Sequence, residues 1–70
     1  MPLTMIGTGK AGIIQKVTGK EETRKFLESL GFVAGSAVTI ITEIGGNVIV
    51  NIKDSRVAIG RDMANKIMVA

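Results

Sequence analysis

The sequence predicts a small, mostly β fold: a five-stranded antiparallel barrel with one helix inserted after the first strand. Three observations carry that prediction. Five short β-rich runs fit into 70 residues, and one segment between the first and second has helical periodicity. The third is that closing such a sheet on itself, or nearly so, removes edges that would otherwise be left open. Domains run from about 50 to 250 residues, so residues 1–70 are expected to form one. There are no cysteines to staple it, and 46% of the residues are apolar, so stability has to come from aliphatic packing.

The first strand is expected over residues 12–18, rich in Ile and Val and closed by Thr18 and Gly19. Just before it, Gly7 to Gly12 satisfies a GxGxxG pattern. A dinucleotide loop needs a full strand ahead of it and a helix opening at its third glycine. Only six residues precede Gly7, and the β-branched Ile13 and Ile14 follow Gly12. A P-loop would need Lys and then Ser or Thr after the closing glycine, where Ile13 stands. The segment reads as a loop.

A helix follows. Thr18 and Glu21 have the spacing of a capping box, and Thr23, Phe26, Leu27 and Leu30 fall at i, i+3, i+4 and i+7, the stripe expected to be buried. Glu21 and Lys25 are placed to pair on the solvent side. Gly31 is expected to end the helix with a positive φ, letting Phe32 fold back on Leu27.

Residues 36–44 and 48–53 then form a hairpin around Gly45, Gly46 and Asn47. A three-residue loop sets Ile44 opposite Val48, Thr42 opposite Val50 and Ile40 opposite Ile52, which makes one face almost wholly apolar. A two-residue loop sets Glu43 opposite Val48 on that face. The carboxylate therefore argues for three residues. A turn at Asp54 and Ser55 would next bring Val57 opposite Ile52 and Ile59 opposite Val50. Residues 61–66 are expected to make a helical turn, and Ile67 to Val69 the closing strand.

Composition removes several kinds of chemistry. Without His or Cys there is no thiolate or imidazole metal ligand, no imidazole base for a nucleophile and no redox pair, so the chain is read as a non-enzyme with no cofactor. Phe26 and Phe32 are the only aromatics, too few to line a groove for proline-rich peptides or unstacked bases. The six carboxylates are scattered, and Met1, Met5, Met63 and Met68 read as core filler rather than thioether ligands, so no metal site is assigned. No run approaches the roughly 20 apolar residues of a membrane span, and no signal peptide is visible. A cytoplasmic location without membrane insertion is the expectation. The net charge of +3 and pI near 9.7 favour an acidic partner.

The outward face of the strands is where such a partner would bind. In the register above Lys53 stands opposite Arg56, an unfavourable pair that a partner's carboxylates would relieve. Ile41 and Ile49 add an apolar spot beside them. Lys53, Arg56, Ile41 and Ile49 are accordingly the candidate partner-binding residues. The plainer reading is that Asp54 or Glu43 neutralises the charges and Leu3 to Ile6 covers the isoleucines.

Across its whole length the sequence resembles the ferrous iron transport protein A (FeoA) family. The residues that carry the resemblance are Leu3, Gly9 and Gly12 before Ile13, the helix from Arg24 to Leu27 running into Leu30, Gly31 and Phe32, then Gly35 and Val38. The Gly45 and Gly46 hairpin, Arg56 to Ile59, and Ala64 with Ile67 and Val69 complete it. Ala34 stands where the family often has Pro, and the family's run of arginines at the helix start is reduced to Arg24 and Lys25. The resemblance implies an SH3-like barrel in the cytoplasm and no catalytic residues. It also implies a partner, the soluble GTPase domain of the membrane iron transporter FeoB. A similar barrel closes iron-dependent repressors, which makes a stand-alone regulatory or carboxylate-based metal-binding module the alternative. A nucleic-acid-binding small barrel is the second alternative; the lack of surface aromatics weighs against it, and no nucleic-acid partner is expected.

Overall fold

The order of elements follows from where the chain has β-branched runs and where glycine lets it turn. The computed structural model describes residues 1–70. A 3-10 turn at Leu3–Met5 precedes β1 (Ala11–Val17), α1 (Glu21–Ser29), β2 (Ala37–Ile44), β3 (Asn47–Ile52), β4 (Ser55–Gly60), α2 (Arg61–Ala64) and β5 (Ile67–Val69). The five strands form one antiparallel sheet in the order β4-β3-β2-β1-β5.

The sheet curls at β1. Residues 11–13 pair with β2 and residues 14–17 with β5, with Gln15 as an extra residue between Ile14 and Lys16. The curl needs Gly12, because a Cβ there would lie 3.0 Å from the Val69 Cβ. β4 and β5 do not bond to each other, so the barrel is nearly closed rather than sealed. The outer edge of β5 is taken by the N-terminus. Pro2 bridges Met68, the Met1 ammonium donates to the Val69 carbonyl at 2.9 Å, and the Val69 N–H donates to the Met1 carbonyl at 2.7 Å.

Thirteen apolar residues form the core: Leu3, Ile14, Leu27, Phe32, Val38, Ile40, Val48, Val50, Ile52, Ile59, Ala64, Ile67 and Val69. Every element except the surface turns contributes at least one. Met63 packs against this cluster, but Met1 and Met5 are 58% and 69% exposed, because Leu3 between them takes the inward position of the 3-10 turn.

The helix ends as expected and starts otherwise. Gly31 has φ +107; its N–H donates to Glu28 at 2.9 Å and the Phe32 N–H to Leu27 at 3.1 Å, the two bonds of a Schellman motif, with Leu27 and Phe32 both buried. Lys25 and Glu21 pair at 3.2 Å. The capping box does not form. Lys20 is the N-cap, with no side-chain bond, and the Thr18 hydroxyl donates to the Lys66 carbonyl at 3.1 Å, drawn there by the ladder that β1 makes with β5. The buried stripe is also narrower than its periodicity implies, since Leu27 alone is fully buried and Phe26 is 49% exposed.

The β2–β3 register differs from the expected one by one residue beside the loop and by two beyond Ile41, and the β3–β4 register differs by two throughout. The β2–β3 loop is Gly45 and Gly46, with φ 54 and 83, and Glu43 does lie opposite Val48. Glu43 is tolerated because it stands at the end of the sheet, with its side chain 47% exposed and paired to Arg61. Further along, Ile41 is bulged, so Ile40 meets Val50 and Val38 meets Ile52. The β3–β4 turn is Lys53 and Asp54, which sets Val57 opposite Val50 and Ile59 opposite Val48. A shift of two preserves which face each residue occupies, whereas the one-residue shift beside the loop turns Thr42 and Ile44 outward and brings Glu43 into line with the core face. Ile40, Val48, Val50, Ile52 and Ile59 therefore reach the core as expected, whereas Ile44, at 64% exposure, does not.

Candidate partner-binding face

Alternation along β3 and β4 sorts their side chains. Val48, Val50, Ile52 and Ile59 point inward, so Ile49, Asn51, Arg56 and Ala58 point outward. Ile49 stands opposite Thr42 on one side and Ala58 on the other, and Asn51 stands opposite Arg56. The bulge puts two successive β2 residues, Ile41 and Thr42, on this outer side, because Ile40 faces the core with Val50 and Thr42 shares a face with Ile49.

The structure thus gathers Ile41, Ile49 and Arg56 on one face, with Arg56 a diagonal neighbour of Ile49. Lys53 is not on the strand. It occupies the adjoining turn with φ 47, beside Asp54 with φ 63. Its expected opposition to Arg56 does not occur, because the turn takes Lys53 and Asp54 out of the ladder and leaves the neutral Asn51 in that place. The like-charge strain inferred from the sequence is therefore absent. The two ion pairs of the chain, Lys25 with Glu21 and Arg61 with Glu43, leave both Arg56 and Lys53 without a carboxylate. Leu3 is in the core and its turn packs mainly on α2 and β5, while Ile41 and Ile49 are partly exposed.

One feature was hidden from sequence reasoning. A concavity of about 250 Å³ lies between β1 and α1, lined by Lys16, Val17, Arg24, Glu28, Phe32 and Val33 among others. The i, i+4 spacing of Arg24 and Glu28 was visible, but not the approach of Lys16, which depends on how β1 bends. The glycine-rich segment is a loop: Gly7 and Gly9 have φ 89 and 80, and the Gly9 N–H that a phosphate would need donates to the Ile40 carbonyl at 2.7 Å. The carboxylates do not converge; no group of three or more that could hold a metal ion forms. No helix is long and apolar enough to cross a membrane.

An aliphatic five-stranded barrel of this topology, with an outer face of small, apolar and basic side chains, defines a small SH3-like domain. The family model described as FeoA domain matches residues 1–70, and the chain belongs to that family of ferrous iron transport accessory proteins. A Methanocaldococcus jannaschii protein named "Putative Fe(2+) transport protein A" is 37% identical over 68 residues, covering 97% of this chain and 83% of that one. A crystal structure of an iron uptake regulatory protein (FeoA) superposes with a TM-score of 0.89 at 28% identity, covering 99% of this chain and 93% of the other. Stenotrophomonas maltophilia FeoA complexed with zinc, described as a procaryotic SH3 domain protein, gives 0.86 at 22% identity over 100% of this chain and 89% of that one. The fold also makes up part of a manganese-dependent transcriptional repressor, with a TM-score of 0.87 at 21% identity over 99% of this chain and 40% of the repressor. The last two likenesses show the fold alone.

Proposed function

We propose that this chain is a non-enzymatic cytoplasmic adaptor that binds the soluble GTPase domain of a FeoB-type membrane transporter and modulates its nucleotide-driven cycle. The observation that carries the reading is the outer face of β2, β3 and β4. There Ile41 and Ile49 form an apolar centre with Arg56 beside it, and Lys53 in the adjoining turn adds a second cation; neither cation has an ion-pair partner. Such a face meets an acidic, partly apolar surface, and the net charge of +3 steers the approach. Membership of a transport accessory family and the lack of His and Cys both support action by contact. The test is Lys53→Glu with Arg56→Glu, assayed by calorimetry against the transporter's GTPase domain. Affinity falls by at least about tenfold if the face binds, since desolvated interfacial charges are sensitive to reversal. Unchanged affinity removes this face from the account.

A further inference from the structure

We propose that the open edge of β4 is a docking edge, at which an extended, carboxylate-bearing segment of the partner adds as one more strand. The inference rests on the partner-binding reading above and names its mode. β4 is the last strand of the sheet, with β3 on one side and no strand on the other.

The phase of its hydrogen bonds follows from the turn. In an antiparallel hairpin closed by two residues, the pair flanking the turn exchanges both backbone bonds, and every second pair after it does the same. Ser55 with Ile52, Val57 with Val50 and Ile59 with Val48 are those pairs. The Arg61 N–H, donating to the Gly46 carbonyl at 3.0 Å, continues the series. The N–H and C=O groups of Arg56 and Ala58, and the Gly60 N–H, therefore point away from β3, while the Gly60 carbonyl belongs to the N-cap of α2. Arg56 and Ala58 are exposed, a Cβ built on Gly60 would meet nothing, and beyond β3 the strand packs mainly on α2 at its end.

The two ends of the sheet are treated differently. The β5 edge is covered by the chain's own N-terminus through Pro2 and Met1. The β4 edge has neither proline nor bulge, since Ser55–Gly60 contains no proline and its ladder runs unbroken, and its one charged side chain is Arg56, which opposes pairing with a basic strand and favours an acidic one.

Charge selects the occupant. A strand laid beside β4 places one side chain next to Arg56 on the outer face, and its neighbours in sequence beside Val57 on the other face. Arg56 and the adjoining Lys53 lack carboxylate partners, so the matching segment alternates an acidic residue with apolar ones. A second copy would bring two cations, Arg56 and Lys53, with the single carboxylate of Asp54, against a like net charge of +3.

The test uses Ala58→Pro, which deletes an N–H that points away from β3 and so leaves the ladder intact, and Ala58→Ser, which keeps that N–H. With the transporter's soluble GTPase domain as probe, Ala58→Pro weakens binding by at least about tenfold and Ala58→Ser by less than about twofold. Should the proline variant fail to fold, the native chain decides: amide exchange at Arg56, Ala58 and Gly60, fast in the free protein, slows when the probe is added. Equal loss in both variants overturns the proposal. So does unchanged exchange at the three amides while Lys53→Glu with Arg56→Glu abolishes binding, a result that keeps the face and removes the strand. Protection that grows with the chain's own concentration assigns the edge to a second copy and overturns the acidic segment. If the native chain does not bind the probe, the partner reading falls and this one with it.

Discussion

The Glu43 carboxylate stands across the β2–β3 ladder from Val48 and is paired with the Arg61 guanidinium at the first turn of α2. That pairing lets a charged residue occupy a position in line with the core. It also ties the hairpin tip to α2, together with the bond from the Arg61 N–H to the Gly46 carbonyl at 3.0 Å.

Removing the ion pair is expected to matter little to stability. Both side chains are about half exposed, 53% for Arg61 and 47% for Glu43, where pairs contribute roughly 0–1 kcal/mol and are screened by salt. Glu43→Gln should lower the urea unfolding free energy by less than about 1 kcal/mol, with the difference shrinking in high salt. A loss several times larger would mean that the pair holds the register.

Gly12 makes the opposite forecast. A Cβ there would sit 3.0 Å from the Cβ of Val69, a fully buried residue fixed in β5, so neither atom is the free end of a flexible chain. Gly12→Ala should destabilise by about 1–3 kcal/mol through overpacking. Val69→Ala removes the Cγ2 and Cγ1 contacts at 3.2 and 3.4 Å but keeps the Cβ one, so combining the two changes should relieve part of the overpacking and cost less than the sum of the single changes, which a double-mutant cycle by denaturation measures.

Gly31 tests backbone conformation without crowding. Its φ is +107, while an added Cβ would meet Ile52 and Lys53 side-chain atoms only at 3.6 Å. Gly31→Ala should therefore cost about 1–2 kcal/mol from strain alone, with no rescue by trimming a neighbour.

The β3–β4 turn offers a gain. Lys53 and Asp54 hold φ 47 and 63, a conformation that Asn-Gly adopts with less strain. Lys53→Asn with Asp54→Gly should raise stability by about 1 kcal/mol, seen as a higher thermal midpoint. Because the double change also removes the Lys53 cation, a stabilised variant with weakened partner binding would separate the residue's role in contact from its place in the fold.

What could be read from the sequence was what short-range rules govern. The Schellman end at Gly31, the Glu21 and Lys25 pair, the strands and the core face of Val48, Val50 and Ile52 all follow from spacing within a few residues. Register was not legible in the same way. Uniform burial of that face would exclude a two-residue loop, yet Glu43 lies at its end and meets Arg61, which is distant in sequence. Two-residue slips also leave the core pattern unchanged, so burial could not detect them. That is why Ile49 and Arg56 share a face as inferred while Lys53 moved into the turn. Thr18 was lost to the capping box for a related reason, since its partner Lys66 comes from the far end of the chain.

The most direct test of a contact-driven adaptor is to titrate isotopically labelled chain with the transporter's soluble GTPase domain and follow backbone amide shifts. Saturable changes clustered at Ile41, Ile49, Lys53, Arg56 and the β4 edge are the predicted result. Changes confined to Lys16, Arg24 and Phe32, or none at concentrations where the two proteins are mixed in excess, would contradict it.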